Sequence, residues 1–88
     1  VPTISYFYGI SIRMFFDDHN PPHFHAYYQN QAALIRISDG EVFRGTIGLA
    51  AARLIKEWAA RHRQELERNW QSAQNRGDLE RIAGLDAD

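Results

Sequence analysis

Apolar residues fall at every second position through the first half of the chain and at every third or fourth position through the second. The change near residue 46 predicts strands followed by helices. A first strand is expected from Thr3 to Tyr8. From Ile10 to Phe16, alternation sets Ile10, Ile12, Met14 and Phe16 on one face and Ser11, Arg13 and Phe15 on the other. From His23 to Tyr28 it sets Phe24, Ala26 and Tyr28 against His23, His25 and Tyr27. From Ala32 to Ile37 it sets Ala33, Ile35 and Ile37 against Leu34 and Arg36. Asp39-Gly40 tolerates the positive φ of a tight hairpin and leads into Glu41 to Gly45.

Beyond that point Ala, Leu, Glu, Arg and Gln dominate, all good helix formers. Thr46 is the expected N-cap of a helix from about Gly48 to His62, with Leu54, Ile55, Trp58, Ala59 and His62 forming its apolar stripe. A second helix is expected over Gln64 to Asn75, turned inward by Leu66, Trp70 and Ala73 and stopped at Gly77. The spacing leaves open whether the two helices join near Arg63. Residues 78–88 are expected as a loosely docked tail. The fold class is therefore α+β: a small antiparallel sheet of about four to five strands, covered on one face by two C-terminal helices. Strands occupy about 3–45 and helices about 48–75, within a single domain over 1–88, because a second core would leave each half too small.

Composition narrows the function classes. A formal net charge of −1 gives no electrostatic case for a dedicated nucleic-acid binder. No apolar stretch approaches the ~20 residues that span a bilayer, and no basic start leads into an uninterrupted apolar run. A cytoplasmic location is the expectation. Cysteine is absent, so disulfides and thiolate metal sites are excluded. Nine of the ten basic residues are Arg, which suits forked recognition of phosphate or carboxylate. A chain this short gains from association, so a homodimer is one expectation for its assembly.

The chemistry is concentrated between Asp17 and His25, where three of the four histidines lie within seven positions. On a strand, His23 and His25 point to the same side with Cα atoms roughly 6–7 Å apart. His19 approaches them if Pro21-Pro22 folds the chain back. Three readings follow. In the first, His19, His23 and His25 hold a divalent transition metal, with Asp17 or Asp18 as a further ligand. In the second, His23 and His25 share general-acid and general-base roles without a metal, and Arg13 or Arg36 holds a phosphate. In the third, Asp-His-Asn-Pro-Pro is a structural turn capped by its own side chains. Trp58, Trp70 and His62 read as packing residues.

Pro2-Thr3-Ile4-Ser5, Phe7-Tyr8-Gly9-Ile10, Asp18-His19-Asn20-Pro21-Pro22-His23-Phe24-His25, the Gly40-Glu41 turn, Glu57-Trp58-Ala59 and Asn69-Trp70 together resemble a bacterial family of small proteins, domain of unknown function 4160. The resemblance runs from Pro2 to about Ile82 and carries over His19, Asn20, Pro21, Pro22, His23 and His25 intact. Where relatives often have Pro near the first helix start, this chain has Ile47-Gly48. The genes of that family often lie beside another short gene. The resemblance thus implies a two-gene, toxin–antitoxin-like operon and a small protein partner, and it implies no particular chemistry. The leading expectation is an interaction module carrying a surface histidine cluster. A metal- or His-dependent phosphoesterase or ribonuclease is the alternative, and a nucleic-acid-binding regulator ranks third.

Overall fold

In the computed structural model, which describes residues 3–87, alternating residues in the first half pair into one five-stranded antiparallel sheet. Its strands are β1 (Thr3–Phe7), β2 (Ile10–Arg13), β3 (His23–Tyr28), β4 (Gln31–Arg36) and β5 (Val42–Thr46), in the spatial order β1-β2-β3-β4-β5. Two helices follow, α1 (Leu49–Arg61) and α2 (Arg63–Gln74). The α+β class and the sheet-then-helix order are as the sequence predicts. Val1, Pro2 and Asp88, the ends of the span expected as one domain, lie outside the described residues.

Turn chemistry sets the register. Tyr8 and Gly9 both take positive φ, 50° and 80°, which matches the twist of a two-residue hairpin and pairs Phe7 with Ile10. Gln29-Asn30 closes β3 onto β4 in the same short span, pairing Tyr28 with Gln31. At the third hairpin the Asp39 carboxylate accepts the Glu41 backbone N–H at 3.0 Å, and Gly40 turns at φ 71°. One face of the sheet supplies Ile10, Ile12, Phe24, Ala26, Ala33 and Ile35 to the core. Trp58 of α1 lands on that face, with its ring 5.3 Å from Phe7 and edge-on to Phe24 at 5.6 Å.

Several boundaries differ from the sequence reading. β2 ends at Arg13, so alternation fails beyond it: Met14 is buried and Phe16 is exposed. Thr46 does not cap α1; it ends β5, where it pairs with Ala32 of β4, and Gly48 holds the N-cap position. The Gly48 N–H instead donates to the side-chain carbonyl of Gln31 at 2.8 Å. The helices break at His62, whose backbone leaves the helical region at φ −120° while Nδ1 meets Glu65 Oε1 at 2.6 Å.

The tail is not loose. Asn69, buried on α2, donates to the Glu80 carbonyl and accepts the Glu80 N–H, both at 2.9 Å. The Ile82 N–H donates to Ile4 O at 2.8 Å, and Trp58 Nε1–H donates to Ala83 O at 2.8 Å. Ile82 is buried, and the segment covers the outer edge of β1. The other edge, β5, has a strand neighbour on one side only.

Candidate metal centre

The loop between β2 and β3 is held from outside by the end of α2. The Asp17 N–H donates to Ala73 O at 3.3 Å, Gln74 Nε2–H donates to Asp18 O at 3.0 Å, and Arg76 pairs with the Asp17 carboxylate. Asp17 is thereby committed to Arg76, and Asp18 turns inward. The Asn20-Pro21 peptide is cis. The loop's exit brings the Pro21 carbonyl to 2.8 Å from His23 Nδ1.

A carbonyl only accepts, so His23 Nδ1 carries a hydrogen and donates it. In the neutral ring this leaves the lone pair on Nε2. That atom is buried and lies 3.0 Å from Asp18 Oδ2, yet the contact misses hydrogen-bond geometry and Nε2 has no bonded partner. His23 is only 4% exposed, walled by Trp70 of α2 at 5.3 Å between ring centroids and by Phe43 of β5 at 5.5 Å. A buried ring nitrogen without a partner is costly, and a lone pair facing a carboxylate oxygen is repulsive. A cation between them removes both costs.

His25, two residues on, reaches the same oxygen. Its Nε2 lies 3.0 Å from Asp18 Oδ2 with good hydrogen-bond geometry, and Phe15 meets its ring edge-on at 4.4 Å. Two imidazole nitrogens and one carboxylate oxygen thus lie within 4.8 Å of one another. Burial pushes the Asp18 carboxyl up, but the bond from His25 and the His19 backbone N–H outweigh it, with a further lowering from His23 and His25 when their rings carry a second proton, and hold the group below its usual value. A divalent ion bound at about 2.0–2.1 Å sets neighbouring ligands about 2.8–3.4 Å apart, depending on coordination number. The two 3.0 Å spacings to Asp18 Oδ2 lie within that range, and the two ring nitrogens lie within 4.8 Å of each other.

The remaining candidates lie around this group. His19 is exposed and outside the donor set; its backbone N–H holds Asp18 Oδ1 at 2.9 Å, so its contribution here comes through the main chain. Arg36, the cross-strand partner of His23, sends its guanidinium to Asp39 at 2.8 Å. Arg13, the cross-strand partner of His25, lies over the Tyr27 ring at 4.5 Å. Two neighbours escaped the sequence reading as walls of the site, Trp70 on α2 and Phe43 on β5. Trp70 gave no signal beyond its helical period, which reads as core and is also true.

The family described as Domain of unknown function (DUF4160) matches residues 9–71, a stretch that contains the whole Asp18–His23–His25 group. No curated protein and no solved structure matches the chain. Among the described residues, no helix is long and apolar enough to cross a membrane.

Proposed function

The chain belongs to the DUF4160 family, and we propose that its functional centre is a site for one divalent transition ion held by Asp18 Oδ2, His23 Nε2 and His25 Nε2. The observation that carries this reading is the buried, unpartnered Nε2 of His23 facing a carboxylate while its Nδ1–H is fixed on the Pro21 carbonyl. Metal-ligating histidines characteristically donate their second ring N–H to a carbonyl or carboxylate in this way. Two nitrogens and one carboxylate suit zinc, or iron and manganese in a six-coordinate site. Three protein ligands leave coordination positions open, as in reactive centres, whereas purely structural zinc takes four. Such an ion would supply Lewis acidity or an activated water to whatever binds the open face.

The test is calorimetry with Zn²⁺ and Mn²⁺ on chelator-treated full chain, together with elemental analysis of untreated protein. One ion per chain is expected. Asp18→Asn and His25→Ala should each weaken binding by more than about 100-fold, since even outer-shell partners are worth 10–100-fold, while His19→Ala should leave it within a few-fold. Absence of stoichiometric uptake, or an Asp18→Asn variant that binds like the parent, would refute the centre.

A second reading, an interaction module for a small protein partner, draws support from the sheet edges. The C-terminal segment covers β1, whereas β5 presents its outer side with Val42 exposed. Uncovered edges are templates for an added strand. Co-expression with the product of an adjacent short gene should yield one co-eluting peak in size-exclusion chromatography, lost on Val42→Pro. Separate elution of the two proteins would count against this reading.

A further inference from the structure

Among the described residues, four other than glycine have a left-handed backbone: Tyr8, Asp17, Gln29 and Arg76, with φ between 50° and 56°. Tyr8 and Gln29 each open a two-residue hairpin turn, where positive φ matches the twist of the paired strands. Asp17 and Arg76 belong to no such turn, and they are the two ends of one ion pair. A side chain makes this region costly, and a residue stays there only where its surroundings fix it.

Arg76 stands one place past the C-cap Asn75, where the end of α2 closes as a Schellman turn. The Gly77 N–H donates to Ser72 O at 2.7 Å and the Arg76 N–H to Ala73 O at 3.2 Å. Glycine is the usual residue at this place because it takes positive φ without steric cost. Here the glycine comes one residue later, as Gly77, and is not among the glycines with positive φ. Arginine therefore closes the helix less well than glycine would. What it adds is a guanidinium on the Asp17 carboxylate.

Three bonds from residues 73–76 converge on two consecutive residues of the loop. Ala73 O accepts the Asp17 N–H, Gln74 Nε2–H donates to Asp18 O, and Arg76 holds the Asp17 side chain. Together they fix the backbone on both sides of the Asp17–Asp18 peptide, and with it the direction in which the Asp18 side chain leaves the chain. That direction carries Asp18 Oδ2 to 3.0 Å from Nε2 of both His23 and His25. We infer that Arg76 is a positioning residue of the proposed metal centre: by holding Asp17 outward it presents Asp18 to the two imidazoles. Arginine has no lone pair to offer an ion, so Arg76 acts only through Asp17. The inference rests on the metal reading for the ion, but the bond from His25 to Asp18 that it concerns is present without one.

Both side chains of the ion pair are exposed, so the pair is worth little to the fold as a whole. At the centre, its loss has two opposed effects. Removing a nearby positive charge tightens the binding of any cation, whereas an aspartate presented only part of the time weakens it by that fraction. The sign of the change thus separates positioning from through-space charge.

The experiment is Mn²⁺ calorimetry on chelator-treated full chain, comparing the parent with Arg76→Gly and Arg76→Lys, each with its urea midpoint. Arg76→Gly should keep or raise the midpoint, because glycine relieves the turn, yet bind Mn²⁺ about two- to fivefold more weakly. Arg76→Lys, which retains the charge, should recover most of that loss. Affinity in Arg76→Gly equal to or tighter than the parent's, or a loss only in step with a lower midpoint, overturns the assignment. Long-range ¹H–¹⁵N spectra of the histidine rings supply a readout that needs no ion. In chelator-treated Arg76→Gly the His25 Nε2 signal should leave its hydrogen-bonded position, and in Arg76→Lys it should return. If the parent takes up no metal, the centre fails and these spectra decide the rest: a His25 signal that moves and is rescued keeps Arg76 as the residue that orients Asp18, and one identical in Arg76→Gly and the parent removes it.

Discussion

At His23 the Pro21 carbonyl holds a proton on Nδ1, while Nε2 lies unbonded beside the Asp18 carboxylate. The sequence made this pair of rings legible, because His-x-His on a strand must share a face. It could not show which aspartate would join them. Asp17 and Asp18 are equivalent in sequence, and the turn after α2 chooses between them by drawing Asp17 to Arg76. Nor could it show His19 facing outward, since that follows from the Asp18 side chain capping the His19 N–H. The Asp18 carboxyl is held below its usual value in the folded chain, so its contribution to stability is fully present above the ordinary carboxylate range and is lost as pH falls through the lower folded value. In chelator-treated protein, Asp18→Asn should flatten the acid limb of a plot of urea midpoint against pH. An unchanged acid limb would show that the carboxylate is not engaged as described.

Among the elements, strands and helices were readable from their periods, and the exceptions have local causes. The bulge at Phe43 breaks alternation inside β5, so counting by twos from Glu41 cannot assign Arg44 to a face. The C-terminal segment has apolar residues at Leu79, Ile82 and Leu85 without a strand or helix period strong enough to announce docking. What fixes it is a pair of reciprocal bonds from Asn69, a polar residue on the buried side of α2. Asn69→Ala removes both and strands two backbone groups of Glu80 in a partly buried place. The expected cost is about 1–3 kcal/mol in urea denaturation, accompanied by faster proteolysis after residue 77. A variant as stable as the parent would mean that the segment is held by its apolar contacts alone.

For the whole molecule, the α+β layout follows from composition shift and turn chemistry, whereas the convergence of β3, β5 and α2 on one imidazole is long-range and invisible to any local pattern. Trp70 illustrates this, since its spacing on α2 says only that it is buried, and three-dimensional packing alone sets it against His23. The strap across β1 has a practical consequence for anyone shortening the chain. A polypeptide trimmed to residues 9–71, the stretch that matches the family, keeps every ligand of the proposed centre. It discards Phe7, a neighbour of the Trp58 ring, and Ala83, the acceptor for its indole N–H. It also bares β2 along a line of hydrogen-bonding groups that β1 had occupied. Such a fragment would carry unprotected sheet margins on both sides and should clump before it could be assayed, so boundaries for expression belong outside the recognisable motif.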